Sequence, residues 1–328
     1  MDTQLDDAGR DAERSGLVQK GTGELASRVR PRAEGGATAA RDAGAVAGDV
    51  AAGAARRGFV PSVFAHGSRE RIPSVADDAP MLLLLSGSPR RKTCVALIDA
   101  IELGAREAGV RTQRFMLCEK HVDPCIGCGA CSKTGNCALA NRVTVDGRFA
   151  DDYLELTGLL DRCDGLALVA PVYFSGPTAQ LKALFDRFQP YWSRKYVLGR
   201  PFPERRPAQL FVVGAGGDPH GYEPFVTISR SCLQIAGFEL EKVGNFVGCR
   251  YPGDVQPRPA GEQAEGMSAA ELARANAAVD AQEEFWMRAL ESGRMLGRML
   301  KKAAADAAEG AADVADAAAG VDDPAESC

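Results

Sequence analysis

Four cysteines lie within one short segment of the chain, and thiols at such spacing can bind a metal centre. Two residues separate Cys125 from Cys128, two separate Cys128 from Cys131, and five separate Cys131 from Cys137. A cubane iron-sulfur cluster takes four thiolates, and a Cys-x2-Cys-x2-Cys run lets three of them follow three corners while a glycine-rich backbone turns its N-H groups toward the sulfides. We therefore interpret the segment as a candidate cluster-binding loop, and the chain as a candidate electron-transfer protein.

Two other interpretations of these cysteines stay open. Structural zinc sites usually divide their ligands between two distant pairs, whereas the four cysteines lie on one continuous loop. The remaining interpretation is a metal-free loop or a set of redox-active thiols. A disulfide framework fits poorly, because the chain is acidic and has no recognisable secretory signal, so we expect a reducing, cytoplasmic location.

The composition is that of an ordinary globular protein, with 328 residues of which 45% are hydrophobic and 25% charged. A net charge of -5 gives no basic footprint for nucleic acid, and no apolar stretch approaches the length of a membrane span. Residues 1–78 lack an apolar stripe, which predicts a disordered low-complexity extension. Residues 303–328 form an Ala/Asp-rich tail, predicted to be disordered beyond a helical start. Residues 79–302 are predicted to form one domain.

Within that domain, strand patterns alternate with helical patterns. The predicted strands are residues 81–85, 111–118, 166–170, 210–213 and 240–247. One predicted helix carries an apolar stripe through Leu181, Leu184, Phe185, Phe188 and Trp192, and the last covers residues 268–302, where Gly293 and Gly297 allow close approach to a neighbour. Parallel strands need crossover helices, so the alternation predicts an α/β fold with a doubly wound, five-stranded parallel sheet.

Ligands of such sheets bind beyond the carboxyl ends of the strands, so the loops that follow the strands are candidate binding segments. The loop of residues 86–93, Ser-Gly-Ser-Pro-Arg-Arg-Lys-Thr, joins a strand to a helix N-terminus. Exposed N-H groups, the helix dipole, hydroxyls and cations together favour a dianionic phosphate there. The alternative is a capped turn with solvated basic residues.

Two further loops, and the cysteine loop, are expected at the same edge of the sheet. Residues 171–176 offer a rigid proline, an aromatic ring and small polar groups that suit the edge of a flat ring system, although Tyr173 could equally serve in packing. Residues 214–218 have almost no side chains, so their backbone either approaches a ligand closely or only makes a tight turn.

Taken together, these motifs resemble the NADPH-dependent FMN reductase family of flavodoxin-like proteins, and within it the iron-sulfur flavoproteins. The resemblance is carried by Gly87-Ser88-Pro89-Arg90, the loop from Pro124 to Cys137, Asp151-Asp152, Ala170-Pro171-Val172-Tyr173-Phe174, Leu181-Lys182 and Asp186-Arg187. It covers residues 80–302 and implies a flavodoxin-like fold, noncovalently bound FMN and a homodimer or homotetramer. The chain departs from the family in reading Arg91-Lys92-Thr93-Cys94 where an Asn-Thr pair is common.

The resemblance also implies site residues. Ser88, Arg90 and Thr93 map to the FMN phosphate site, and Pro171, Val172, Tyr173, Phe174 and Ser175 map to the isoalloxazine edge. The remaining cofactor-binding candidates from the same loops are Ser86, Pro89, Gly214, Gly216 and Gly217. Cys125, Cys128, Cys131 and Cys137 map to a [4Fe-4S] cluster. No catalytic side chain is expected, since the redox chemistry belongs to the cofactors.

The leading hypothesis is an FMN-dependent oxidoreductase that pairs FMN with a [4Fe-4S] cluster. Its donor would be NAD(P)H or a redox partner protein, and its acceptor a partner protein or a small molecule; neither nucleic acid nor membrane is expected as a partner. One alternative is an NAD(P)H-dependent FMN or quinone reductase that lacks a cluster. Another is a non-enzymatic electron carrier or a zinc-loop interaction module.

Overall fold

The computed structural model describes residues 74–201, 204–249 and 258–319, with the side chains of the last helix as far as residue 311. The predicted N-terminal extension lies outside these ranges except for residues 74–78, which carry neither helix nor strand. The end of the tail, residues 320–328, also lies outside them. Across the ranges described, none of the helices has the length and apolar character that a membrane span requires.

Five strands alternate with helices along the chain. The strands are β1 (Met81–Ser86), β2 (Arg111–Met116), β3 (Gly165–Pro171), β4 (Arg206–Gly214) and β5 (Phe238–Val247). The helices are α1 (Thr93–Glu107), α2 (Ala130–Thr134), α3 (Tyr153–Arg162), α4 (Ala179–Asp186), α5 (Gln189–Tyr196), α6 (Glu223–Ile235), α7 (Glu262–Glu265) and α8 (Ala269–Ala319). The five predicted strands are confirmed, and α8 continues past residue 302, where the sequence pattern ends it.

The strands form one parallel sheet in the order β2-β1-β3-β4-β5. In the middle of the sheet, Leu84 of β1 lies in register between Arg114 of β2 and Ala167 of β3. This is the strand order of flavodoxin-like sheets, in which ligands bind where the chain order reverses between β1 and β3. The predicted flavodoxin-like, five-stranded parallel sheet is therefore confirmed.

Helices cover both faces of the sheet, because successive side chains of a strand point to opposite faces and those of β1 and β3 are nearly all apolar. Leu83 and Leu85 of β1 belong to the core under α3, α4 and α6, whereas Leu82 and Leu84 belong to the core under α1 and α8. All four leucines are at most 1% exposed. β1 is therefore buried on both faces, and only the loop at its end reaches solvent.

The helix predicted from the stripe that ends at Trp192 is two helices. α4 ends at Asp186, and α5 begins at Gln189. Pro190 explains the break, because it has no N-H for the carbonyl of residue 186 and its ring would clash with that carbonyl. The break resets the helical phase, so Trp192 is 43% exposed and Tyr191 is buried instead. The predicted inward position of Trp192 was wrong for this reason.

The last helix crosses α1 so closely that the two backbones touch. A Cβ added to Gly293 would lie 2.1 Å from the backbone oxygen of Ile101, and one added to Gly104 would lie 2.1 Å from that of Leu290. Gly297 is similarly close to α1, with a Cβ position 2.7 Å from the nearest methyl carbon. The close approach predicted for the glycines of α8 is confirmed.

Replacing Gly293 by alanine is expected to destabilise the fold, because the added methyl group must displace the backbone of α1 at Ile101. Overpacking of this kind costs about 1–3 kcal/mol of unfolding free energy, which denaturant unfolding followed by circular dichroism can measure. The matched control is Gly310→Ala on the same helix, where nothing lies within 4 Å of the added methyl group. That variant should be unchanged or up to about 1 kcal/mol more stable. Wild-type stability of Gly293→Ala would contradict the packing described.

Candidate functional site

Three loops meet at one edge of the sheet because β1, β3 and β4 are neighbours that run in the same direction. They are termed the first loop (residues 86–93), the second loop (residues 171–176) and the third loop (residues 214–218). Strand pairing continues into them, since Gly87 N donates to Val169 O at 2.9 Å and Val172 N donates to Val213 O at 2.8 Å. The predicted cofactor-binding residues of the three loops are therefore brought to one edge.

The Ser88 hydroxyl group holds the first loop in place by bonding to the backbone of that loop. The loop leads into α1. Ser88 is 4% exposed, and its Oγ accepts a hydrogen bond from Arg90 N at 3.1 Å. Thr93 begins α1, and in the described part of the chain no side chain caps the first turn of this helix. The N-H groups of that turn are therefore available to an anion.

The two arginines of the first loop have different partners. Arg90 Nη2 donates to the hydroxyl of Tyr173 at 3.0 Å, which joins the first loop to the second. Arg91 instead pairs with Glu119 at 3.1 Å, and both side chains are exposed. Arg90 is thus the arginine placed between the predicted phosphate and ring loops.

The second loop contains a tight turn that presents an aromatic ring to solvent. The backbones of Tyr173 and Gly176 exchange two hydrogen bonds of 2.9 Å each. Between them, Phe174 and Ser175 have φ values of +50° and +59°, a left-handed conformation that costs a non-glycine residue about 1–3 kcal/mol. Phe174 is fully exposed, at 100%. The strained turn therefore keeps the Phe174 ring outside the core, where a flat ligand can reach it.

A shared carboxylate joins the second loop to the third. Asp218 Oδ1 accepts from His220 N at 2.9 Å, and Asp218 Oδ2 accepts from the Ser175 hydroxyl at 3.0 Å. These two bonds, the one from His220 N foremost, lower the pKa of Asp218 below its ordinary value because they favour the charged form. Gly216 and Gly217 have φ values of +84° and +87°, which glycine adopts without strain.

The cysteine loop (residues 124–138) follows β2, and its four thiols are spread along it. Cys125 and Cys128 are exposed, whereas Cys131 and Cys137 are half-buried. Among the residues that the structure describes, no three His, Cys, Asp or Glu side chains are gathered closely enough to hold a metal ion. The predicted ligand set is therefore not assembled in this conformation.

A buried ion pair fixes the start of the cysteine loop. Arg187 Nη1 donates to the Asp151 carboxylate and, at 3.0 Å, to Asp123 O, and the two charged side chains are at most 1% exposed. The guanidinium also lies 4.1 Å from the ring centre of Tyr153, whose hydroxyl donates to Arg187 O at 2.7 Å. Removing one member of such a pair leaves an uncompensated buried charge, which costs about 3–5 kcal/mol. The pair thus ties the loop firmly to the end of α4.

Two arginines fix the end of the cysteine loop through its main chain. Arg194 Nε donates to Gly135 O at 2.7 Å, and Arg194 Nη2 donates to Asn136 Oδ1 at 3.1 Å. Arg200 Nη2 adds a longer bond of 3.4 Å to Thr134 O. Both ends of the loop are therefore anchored, and the exposed cysteines lie between the anchors.

The described cysteines outside the loop lie in or beside the core. Cys94 and Cys163 are buried, and Cys118, Cys232 and Cys249 are half-buried. Burial raises the pKa of Cys94 and of Cys232 to about 11, and that of Cys163 to about 12. Because metals bind the thiolate, these protonated thiols are poor candidates for ligands at neutral pH.

Two adjoining cavities lie away from the three loops. One, of about 280 Å³, opens beside Cys137 and is also lined by Tyr153, Tyr191 and Arg194. The other, of about 780 Å³, shares Tyr191 and Arg194 with the first and extends to Pro207 at the amino end of β4. The predicted flavin site is thus an open edge of the sheet, whereas the fourth cysteine has a cavity beside it.

Three residues that position the candidate site were missed in the sequence. Thr178 Oγ1 donates to Gly87 O at 2.7 Å and accepts from Leu181 N at 3.3 Å, which joins the first loop to α4. A threonine directly before a helix is an N-cap signal, so this residue could have been found. Arg194 and Arg200 contact main-chain carbonyl groups, and no side-chain pattern in the sequence encodes such a partner.

Comparison with known proteins shows that part of the chain is similar to a known family. Residues 80–235 match the model of the family described as NADPH-dependent FMN reductase. An iron-sulfur flavoprotein of Methanocaldococcus jannaschii is 37% identical over 107 residues, which are 32% of this chain and 50% of that protein. An iron-sulfur flavoprotein of Methanosarcina thermophila is 36% identical over 104 residues, which are 31% of this chain and 49% of that protein. The chain thus matches these curated relatives over about half of their length.

Among solved structures, an NAD(P)H:quinone oxidoreductase from Methanothermobacter marburgensis aligns with a TM-score of 0.40 and 19% identity, covering 66% of this chain and 97% of that chain. The family match runs from β1 through α6 and thus contains four of the five strands of the sheet. Residues 80–235 of this chain, just under half of it, are therefore similar to the NADPH-dependent FMN reductase family, and the curated relatives that the chain matches are named iron-sulfur flavoproteins.

Proposed function

We propose that this chain is an FMN-dependent oxidoreductase that pairs FMN with a [4Fe-4S] cluster. The observation that carries the proposal is the pair of bonds between the three loops: Arg90 with Tyr173, and Ser175 with Asp218. These bonds make one surface from segments that each suit a different part of a phosphorylated ring cofactor. The family match and the names of the relatives support FMN as this cofactor and an iron-sulfur cluster as its companion.

The first loop fits a phosphate group. The first turn of α1, as described, contains no acidic residue and no side-chain cap, so the positive end of the helix dipole is not neutralised locally. Ser88 and Thr93 supply hydroxyl groups, and the bond between Arg90 and Tyr173 orients a cation beside them. In this proposal these groups hold the FMN phosphate.

The second and third loops fit a flat ring. The exposed ring of Phe174 offers an apolar face that excludes water from one side of the ligand. Gly216 and Gly217 let the backbone of the third loop approach a ring edge without side chains in the way. In this proposal residues 171–175 and the glycines of the third loop bind and orient the isoalloxazine.

The cysteine loop fits a cluster in its donor set, although its donors are dispersed. Gly127 and Gly129 lie between the first three cysteines with φ values of +65° and +71°, and nothing lies within 4 Å of their Cβ positions. The backbone there can turn its N-H groups toward a ligand. Binding requires the exposed segment with Cys125 and Cys128 to fold over Cys137 while the anchors hold both ends of the loop.

When bound, FMN supplies two-electron and one-electron exchange and the cluster one-electron exchange, so that together they can divide an electron pair into single steps. The chain binds and orients both groups and excludes water, and no side chain is assigned a proton transfer. The donor would be NAD(P)H or a redox partner protein, and the acceptor a protein or a small molecule. A homodimer or homotetramer and a cytoplasmic location belong to the same proposal.

The proposal is tested by purifying the full chain without oxygen and measuring its absorption spectrum, its iron and acid-labile sulfide, and the flavin released on heating. We expect FMN together with about four irons per chain, the content of one cubane cluster. Direct bleaching of the flavin by NADPH would indicate a reductase, and bleaching only through reduced ferredoxin would indicate a carrier. A chain that retains neither chromophore after reconstitution would overturn the proposal.

The dispersed thiols favour a second candidate, an NAD(P)H-dependent FMN or quinone reductase whose cysteine loop stays empty. No three of the potential ligands that the structure describes are gathered for a metal. A yellow protein without iron or sulfide that NADPH reduces directly would support this candidate over the first. Bound zinc without flavin would support an interaction module instead.

Replacing Cys128 by alanine is expected to abolish cluster binding and to spare FMN, because Cys128 lies on the exposed part of the cysteine loop, apart from the three loops at the sheet edge. Iron, sulfide and flavin contents of the anaerobically purified variant measure both effects. The matched control is Cys232→Ala, which removes a half-buried thiol on α6 and should leave both cofactors in place. Simultaneous loss of FMN in Cys128→Ala, but not in the control, would contradict separate sites.

Replacing Arg90 by alanine is expected to weaken FMN binding by about 1–3 kcal/mol, roughly 5- to 150-fold in Kd, through loss of a charge-assisted bond to the phosphate. Quenching of FMN fluorescence by the flavin-free protein measures Kd. The matched control is Arg91→Ala, which removes the neighbouring guanidinium that pairs with Glu119 and should change Kd less than about twofold. Equal effects of the two substitutions would remove the special role of Arg90.

A further inference from the structure

The Arg187 guanidinium is a buried cation, and only some of its N-H donors have a hydrogen-bond partner in the described ranges. Its side chain is 0% exposed, and Nη1 makes the bonds to Asp151 and Asp123. Nε and Nη2 are also buried, and neither has a hydrogen-bond partner in the described ranges. Unpartnered buried donors are uncommon, because each costs about 1–3 kcal/mol. Two such donors on one side chain point to an acceptor that the protein does not itself supply.

Cys137 is the cysteine next to this guanidinium. Burial lowers the pKa of Arg187, but the bond to Asp151 and the neighbouring Cys137 outweigh that effect, so the pKa is raised. The guanidinium stacks on the ring of Tyr153, at 4.1 Å from the ring centre. The cavity of about 280 Å³ lies beside Cys137 and Tyr153. The fourth cysteine, a buried cation and open space therefore adjoin one another.

Asp151 prevents the guanidinium from turning away. The carboxylate holds Nη1 from one side and also accepts from Asp123 N at 3.3 Å and Tyr153 N at 3.2 Å. A side chain that is bonded in this way and has no exposed surface cannot direct its remaining N-H groups to solvent. The orientation of Nε and Nη2 is thus set by the fold.

Building on the function proposed above, we propose that Arg187 is a positioning residue for the cluster, whose unpartnered N-H groups donate to the sulfur ligand at Cys137. Reduction of a cluster held by four thiolates adds one electron and no proton, so negative charge accumulates in a partly buried site. A fixed cation and N-H···S bonds stabilise the reduced form more than the oxidised form. Arg187 therefore raises the reduction potential of the cluster.

The test compares the anaerobically purified wild type with Arg187→Lys and with the double variant Arg187→Gln/Asp151→Asn. Lysine keeps a charge beside Asp151 and removes the forked donors, whereas the double variant removes both charges and leaves no unpaired carboxylate. Dithionite titration followed by electron paramagnetic resonance gives the midpoint potential. We expect it to fall from the wild type to Arg187→Lys to the double variant. In the double variant, the ratio of reduced to oxidised cluster at a fixed potential should fall about tenfold. For a one-electron step this corresponds to a midpoint potential lower by about 59 mV.

Arg206→Lys is the matched control. The Arg206 guanidinium donates to Leu160 O at 2.6 Å and to Cys163 O at 2.8 Å, and neither acceptor belongs to the cysteine loop. This substitution should lower the unfolding temperature without moving the potential. If Arg187 were only structural, its variants would behave in the same way, and that result would overturn the proposal.

Two further outcomes are decisive. If the double variant does not fold, the potential of Arg187→Lys decides alone, because that variant keeps the ion pair. Wild-type protein without iron and sulfide would remove the proposed cluster and the role of Arg187 together. Wild-type protein with a cluster, and variants with an unshifted potential, would remove only the role of Arg187.

Discussion

The candidate site depends on one constraint, the parallel arrangement of β1, β3 and β4 as neighbours. Parallel neighbours end at the same edge of a sheet, so loops that are distant in sequence come together there. Arg90 and Tyr173 are 83 residues apart in the chain and share a hydrogen bond of 3.0 Å for this reason. The leucines of β1 hold that strand between two layers of helices, and the position of its loop is fixed accordingly.

A second constraint governs the cysteine loop, which combines rigid ends with an exposed middle. The buried pair of Arg187 and Asp151 holds one end, and Arg194 holds the other through Gly135. The segment between these anchors contributes little to the core, and such segments open at low free-energy cost. The same chain thus provides anchored ends and, between them, an exposed segment that carries Cys125 and Cys128.

Much of the fold can be predicted from local sequence patterns, because an apolar run or stripe indicates which of its residues are buried. Residues 81–85 predict a strand buried on both faces, and the structure has Met81–Ser86 there. The exception is the helix through Trp192, where the apolar spacing is sound but Pro190 breaks the backbone. An interior proline costs a helix about 3 kcal/mol, and here this cost outweighs the continuous helix that the apolar stripe favours.

The candidate site is less predictable, because its contacts join distant segments. Loop composition indicates a phosphate and a ring, but nothing in the sequence predicts that Ser175 meets Asp218, or that Arg194 binds the carbonyl of Gly135. The unpartnered donors of Arg187 are likewise a property of packing alone. Such contacts depend on register and on loop closure, which a sequence pattern does not encode.

The most direct measurement is a crystal structure of the full chain purified and crystallised without oxygen. The account predicts flavin density with its phosphate at the start of α1 and its ring against Phe174, and cluster density enclosed by four cysteines with Arg187 directed at Cys137. Density for the flavin at the three loops and for the cluster in the cysteine loop would support the central claim. A flavin bound elsewhere, or flavin density with the cysteines still apart and no cluster, would contradict it.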